Sequence, residues 1–301
     1  MLRSQAVHGA LCALLFFAGS ALANPRPITD LPLRAEGDNR WTLPAGEYVG
    51  NFRIDRPLHL RCEPGAVFSA AGQGNALSIG ASDVLVEDCD LRDWGHNLTD
   101  MDSGIFIEGG AKGVTLRNNR LRGVGFGIWA DRSENVHILD NQVHGEPSVR
   151  SQDRGNGIHL FIVKGAVVAG NQVRETRDGI YIETSNGNRI ENNLLEDLRY
   201  GIHYMFSNDN HVTGNITRRT RTGYALMQSR KLTVIGNRSE HDRNYGMLMN
   251  YITYSTIKDN FVTDVQAGDT GGDSMIQGGE GKALFIYNSL FNVIEHNHFE
   301  H

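Results

Sequence analysis

The chain is poor in the residues that staple or stiffen a fold, with 7 Pro and 3 Cys among 301 residues. No run of Lys or Arg exceeds two, and the formal charge is −6. A basic stripe for nucleic acid or a polybasic membrane patch is therefore excluded. Beyond the N-terminus nothing approaches eighteen consecutive apolar residues, so no membrane-spanning helix is expected. Several chemical signatures are missing too. The insert GDTGGDSMIQGGEGK fails the Walker spacing, because Ile276 stands where the first Gly belongs and Ala283 where Ser or Thr belongs. It also lacks the nonapeptide calcium repeat. No Gly-x-Ser-x-Gly, Cys-x-x-Cys or His-Glu-x-x-His occurs. Asp264, Asp269 and Asp273 fall only in that insert and read as solvated loop acids rather than a glycosidase pair.

What is abundant is glycine, 35 residues, which points to tight turns rather than long helices. Residues 1–23 read as a signal peptide: Arg3, an apolar run from Ala10 to Ala18, then Ala21-Leu22-Ala23 as the cleavage site. The mature chain is expected to be exported, to the periplasm on the family resemblance given below. It keeps two cysteines, Cys62 and Cys89. In an oxidising compartment they either pair, stabilising by ~3 kcal/mol through loop closure, or remain buried thiols.

Self-comparison reveals a repeat that starts Gly-apolar-x-apolar and ends at an Asn. Gly104, Gly127, Gly157, Gly179, Gly201, Gly223 and Gly246 open seven units and Ala283 an eighth. Asn119, Asn141, Asn171, Asn193, Asn215, Asn237, Asn260 and Asn297 close them. Apolar residues alternate with period two, the pattern of strands. A unit near 22 residues suits three short strands and a turn of a right-handed parallel β-helix, an all-β solenoid. The Asn column is expected to be a structural ladder, each amide tolerating left-handed backbone angles at a corner and bonding to its copy one coil on. Two of the three glycosylation sequons, at Asn215 and Asn237, fall in that inward column, so glycosylation is not expected. Residues 24–60 read as an N-terminal cap with a first irregular coil and 61–301 as the β-helix, with loops inserted at about 144–156 and 264–281. The chain stops in mid-coil without a cap, as a C-terminally truncated form of a longer protein would.

Parity within the strand after each Gly assigns positions +1 and +3 to the core. Positions +2 and +4 then face outward. The +2 column is Trp129, His159, Tyr181, His203, Ala225, Leu248, Phe285, and the +4 column is Phe161, Glu183, Met205, Met227, Asn250, Tyr287. His203, Met205 and Met227, with His159 behind, are candidate metal ligands. Thioether with imidazole suits Cu(I) better than Mg or Ca. The alternative is a face simply covered by aromatic and Met packing. Arg177, Arg199 and Arg221 recur two residues before Gly, either as an exposed charge ladder or as a docking stripe for an anionic polysaccharide or acidic protein.

The segments SQDRGNGIHLF (151–161), DGIYIETSNGN (178–188), RYGIHYMFSNDN (199–210), RTRTGYALMQSRKLTV (219–234), NYGMLMNYITYSTI (244–257) and GEGKALFIYNSLFN (279–292) resemble the NosD family. That family comprises periplasmic accessory proteins of nitrous oxide reductase maturation. The resemblance implies a non-enzymatic β-helix working with the NosF/NosY ABC transporter and the NosL copper chaperone. Its role would be to supply copper, or sulfur, for the copper centres of the reductase. The family continues past this chain's C-terminus with further coils. Rival classes are a carbohydrate-active β-helix acting on uronate polymers, with Trp129, Tyr181, Glu183 and the Arg column on its working face, and a structural passenger or adhesin.

Overall fold

The computed structural model describes residues 24–267 and 280–300. The 1–23 leader and most of the 264–281 insert lie outside the described residues. The rest is a right-handed parallel β-helix of three long sheets. Each coil passes in turn through sheet B (Arg40–Leu43 in the first coil), sheet C (Gly46–Val49) and sheet A (Phe52–Ile54). Ten such coils run from Arg40 to Tyr287, followed by Val293–Glu295 and His298–Glu300. Two coils therefore precede the first Gly-opened unit. Every neighbouring pair is parallel, apart from Arg34–Ala35 against Arg40–Leu43 in the N-terminal cap.

The period-two pattern works as expected inside. Ile158, Leu160, Ile180, Ile182, Ile202, Tyr204, Met247 and Met249 are all fully buried in one continuous core. The opening glycines serve close packing, since a Cβ on Gly201 would lie 2.4 Å from Thr217 Cγ2 and 2.6 Å from the Gly223 carbonyl.

The Asn ladder runs unbroken from Asn119 to Asn297. Asn193 is typical. Its Oδ1 accepts the Asn171 backbone and side-chain N–H groups, both at 2.9 Å. Its Nδ2 donates to Val168 O at 2.9 Å and to Asn215 Oδ1 at 2.8 Å. The corner conformation differs from that expected. The left-handed residue is the one before each ladder Asn, such as Asn118, Asp140, Asn192 and Asp259, and not the ladder Asn itself. This leaves the ladder amide free to turn inward while its predecessor makes the corner. At the start of the column Cys89 donates its N–H to Asn119 Oδ1 at 3.0 Å and is joined to Cys62 by a disulfide. A second ladder, of serines, lines the corner between sheets A and B, where Ser185, Ser207 and Ser229 hydroxyls accept N–H bonds from the preceding coil.

Excursions from the solenoid leave the corner between sheets C and A. The 145–157 loop separates Gln142–His144 from Ile158–Phe161, and an excursion over 93–102 separates Asp90–Arg92 from Ser103–Ile107. The latter has no counterpart in the repeat spacing, because it precedes the first complete unit.

Candidate functional site on the outer face of sheet A

The strand register stacks the two outward columns as parity requires. Trp129, His159, Tyr181, His203, Ala225, Leu248 and Phe285 are successive partners, and so are Phe161, Glu183, Met205, Met227, Asn250 and Tyr287. Their environment differs from an exposed surface. Trp129, His159, His203, Ala225, Met227 and Leu248 are buried although they point away from the core. Ala225, Met227, Tyr245 and Leu248 form a separate hydrophobic cluster, with Tyr200, Met205 and Phe285 packed on it.

The face has two halves. The first is an aromatic stack with ring centroids 3.9 Å apart for Trp129–His159, 4.6 Å for His159–Tyr181 and 4.2 Å for Tyr181–His203. In it His159 is saturated. Its Nδ1 meets Asn156 Nδ2 at 3.2 Å and its Nε2 meets Glu183 Oε2 at 3.2 Å. Burial lowers the His159 pKa and keeps the ring neutral at neutral pH. The neutral ring accepts from the Asn156 amide at Nδ1 and donates from Nε2, and that bond is the leading cause that lowers the Glu183 carboxyl. Burial, with the charges of Glu183 and Asp178, raises Tyr181 and keeps it a phenol.

His203 sits where the stack meets the Met-rich half. Its Nδ1 lies 3.0 Å from Asp178 Oδ2. Asp178 is wholly buried and also accepts two bonds from Arg199, at 2.7 and 2.6 Å. Burial pushes the Asp178 pKa up, but the hydrogen bonds and charges of His203 and Arg199 outweigh it and hold the carboxyl well below its ordinary range. A carboxylate there accepts a hydrogen bond from the proton on His203 Nδ1, which leaves Nε2 as the ring nitrogen turned away from Asp178. That Nε2 is buried and has no hydrogen-bond partner among the described residues. Asn250 Oδ1, one rung beyond Met227, is likewise buried without a partner among them.

The four candidate ligands thus do not form one cluster. Met205 and Met227 are register neighbours, and His203 lies two residues from Met205 on the same outer face. His159 is two coils away and engaged on both ring nitrogens. Among the described residues no three His, Cys, Asp or Glu side chains gather as a metal site. Parity did not identify Asp178. It lies at the position before Gly and reaches diagonally into the next coil, a contact outside any single column. The arginine stripe loses its middle member, for Arg199 is turned onto Asp178 with its side chain only 21% exposed.

Comparison with known proteins places this geometry in a family. The family model described as "Periplasmic copper-binding protein (NosD)" matches residues 139–301. The "Probable ABC transporter binding protein NosD" of Stutzerimonas stutzeri is 63% identical over 304 residues, covering 100% of this chain and 70% of that protein. The protein of that name from Pseudomonas aeruginosa PAO1 is 62% identical over 291 residues, 97% of this chain and 68% of its own. Both are named as binding proteins rather than enzymes. Solved structures share the fold alone. The Streptococcus pneumoniae surface adhesin PfbA has a TM-score of 0.67 at 10% identity, covering 92% of this chain and 91% of its own. The A-module of the Azotobacter vinelandii mannuronan C-5 epimerase AlgE6 has a TM-score of 0.55 at 12% identity, covering 91% and 99%. On sequence identity over its whole length, and on the family model over residues 139–301, the chain belongs to the NosD family.

Proposed function

We propose that the chain carries Cu(I) as cargo on the outer face of sheet A, as a periplasmic accessory protein of nitrous oxide reductase assembly. The partners in this reading are the NosF/NosY ABC transporter, the NosL copper chaperone and the reductase. Copper is the favoured cargo over sulfur because the donors are an imidazole and two thioethers. The names of the relatives, periplasmic copper-binding protein and ABC transporter binding protein, support the same assignment.

The observation that carries the reading is the buried His203 Nε2, without a hydrogen-bond partner among the described residues, on a ring oriented by Asp178 and on the same outer face as the register pair Met205 and Met227. A carboxylate on the far nitrogen is how proteins fix the tautomer of a metal-binding imidazole. Among the described residues no helix is long and apolar enough to cross a membrane.

The test is an anaerobic Cu(I) titration of the mature protein against a chromogenic competitor. Stoichiometric binding is expected, weakened at least tenfold by His203→Ala and by Met205→Leu/Met227→Leu. Asp178→Asn should weaken it by roughly 10- to 100-fold, although Asp178 touches no metal. No Cu(I) binding by the folded wild type, or unchanged affinity in all three variants, contradicts the reading.

A further inference from the structure

The outer face of sheet C carries a groove that the copper reading does not use. Its strands are three residues long with the middle residue inward, as Leu91, Leu121, Val143 and Val173 show, so the first and third side chains stand outside. The third positions of four successive coils are Arg92, Arg122, His144 and Arg174, in direct register. A groove of about 430 Å³ follows them, with Arg120, Gln142 and Gln172 on its other wall.

Like charges stacked one coil apart, ~4.8 Å, destabilise each other unless they are compensated. Arg92 reaches Glu47 at 2.8 Å, and Arg120 grips Asp90 with two bonds. His144 meets Glu175 through Nε2. Arg122 has no hydrogen bond or ion pair among the described residues. Arg174 has only a 3.4 Å bond to His144 Nδ1, an acceptor without charge in that tautomer. Glu196, in register with Arg174 on the next rung, pairs with Arg219 at 3.3 Å, and Glu146 accepts from Ser148 at 2.9 Å while attracting Arg122 only through space. Arg122 and Arg174, two coils apart, thus have no direct carboxylate partner among the described residues.

We propose that this groove binds a linear polyanionic glycan of the polyuronate type, one carboxylate per sugar, lying along the solenoid axis across the strands. In a two-fold uronate chain same-side carboxylates recur every second sugar, about two coil rises or ~10 Å, which is the spacing of Arg122 and Arg174. The exposed amides of Gln142 and Gln172 supply donors and acceptors for sugar hydroxyls. Of the outward side chains that line the groove only Val67 and Leu194, at its two ends, are apolar, so it lacks the apolar centre that a protein partner needs. No residue is shared with the sheet A site, so either assignment can fail without the other.

The experiment is calorimetric titration of the mature protein with oligogalacturonate at low and at physiological ionic strength. Saturable binding that weakens with salt is expected, with at least a tenfold loss in Arg122→Gln/Arg174→Gln and no loss in Arg238→Gln, whose side chain is already paired with Glu240. Neutral dextran should not bind, and Cu(I) affinity should be the same in the double variant as in wild type. Absence of oligogalacturonate binding, or equal binding by the double variant, overturns the proposal. Polyglutamate binding as tightly as oligogalacturonate also overturns it, in favour of an acidic protein partner.

Discussion

Replacing one ladder asparagine isolates what holds the coils in register. In Asn193→Ala four side-chain hydrogen bonds disappear, two accepted from Asn171 and one each donated to Val168 O and Asn215 Oδ1. The Asn193 backbone N–H keeps its bond to Asn215 Oδ1 at 3.0 Å. The Asn171 N–H is then left without that acceptor in a fully buried corner. At about 1 kcal/mol per net bond, with an orphaned buried donor costing 1–3 kcal/mol by itself, the loss comes to about 4 kcal/mol. Urea unfolding followed by tryptophan fluorescence measures it. Native-state hydrogen exchange then shows whether the loss concentrates in the coils on either side, as nearest-neighbour coupling in a solenoid requires. Thr213→Ala, at an exposed position close by, is the control and should change stability by less than about 0.5 kcal/mol. An Asn193→Ala loss below about 1 kcal/mol would refute the ladder as a stabilising device.

Two further perturbations follow from the packing and electrostatics. Gly201→Ala forces a methyl against Thr217 and the Gly223 carbonyl and should cost about 2–3 kcal/mol by overpacking, read as a lower midpoint in the same urea experiment. Asp242 accepts bonds from Thr217, Thr220 and Ser239, yet burial pushes its pKa from 3.8 up to about 6. With the folded pKa above the unfolded one, its contribution is fully present below about pH 3.8 and is lost as pH rises through about 6. The rise corresponds to about 3 kcal/mol. Wild-type stability relative to Asp242→Asn should therefore fall by about that amount between pH 4 and pH 7, and a flat difference across that range would contradict the assignment.

Much of the solenoid is legible in the sequence because its constraints are local and repeated. A fixed Gly-to-Asn span and period-two alternation suffice for strands, coil length and the inward columns. The two coils through Phe52–Ile54 and Leu77–Ile79 carry neither the Gly nor the Asn, so the sequence yields only an irregular coil before residue 60 and solenoid from 61, and their register comes from the pairing. The outer columns were readable as positions but not as environments. Nothing in the strand spacing shows that His203 and Met227 are buried, since the cover comes from large side chains of the same and neighbouring coils, such as Tyr181, Tyr200 and Tyr245. The Asp178–His203 contact joins position −1 of one coil to position +2 of the next, and a reading organised by columns passes over diagonals. Left-handed angles at Ile162 and Phe206 are hidden for a similar reason: the corner is imposed by the sheets on both sides and not by a turn-forming residue.

Copper K-edge X-ray absorption of the mature protein loaded with one equivalent of Cu(I) tests the central assignment most directly. A first shell with both sulfur and imidazole scatterers is predicted, with the sulfur contribution lost in Met205→Leu/Met227→Leu and the imidazole contribution lost in His203→Ala. A shell of nitrogen and oxygen only, or one that none of these substitutions alters, would contradict a copper site on the outer face of sheet A.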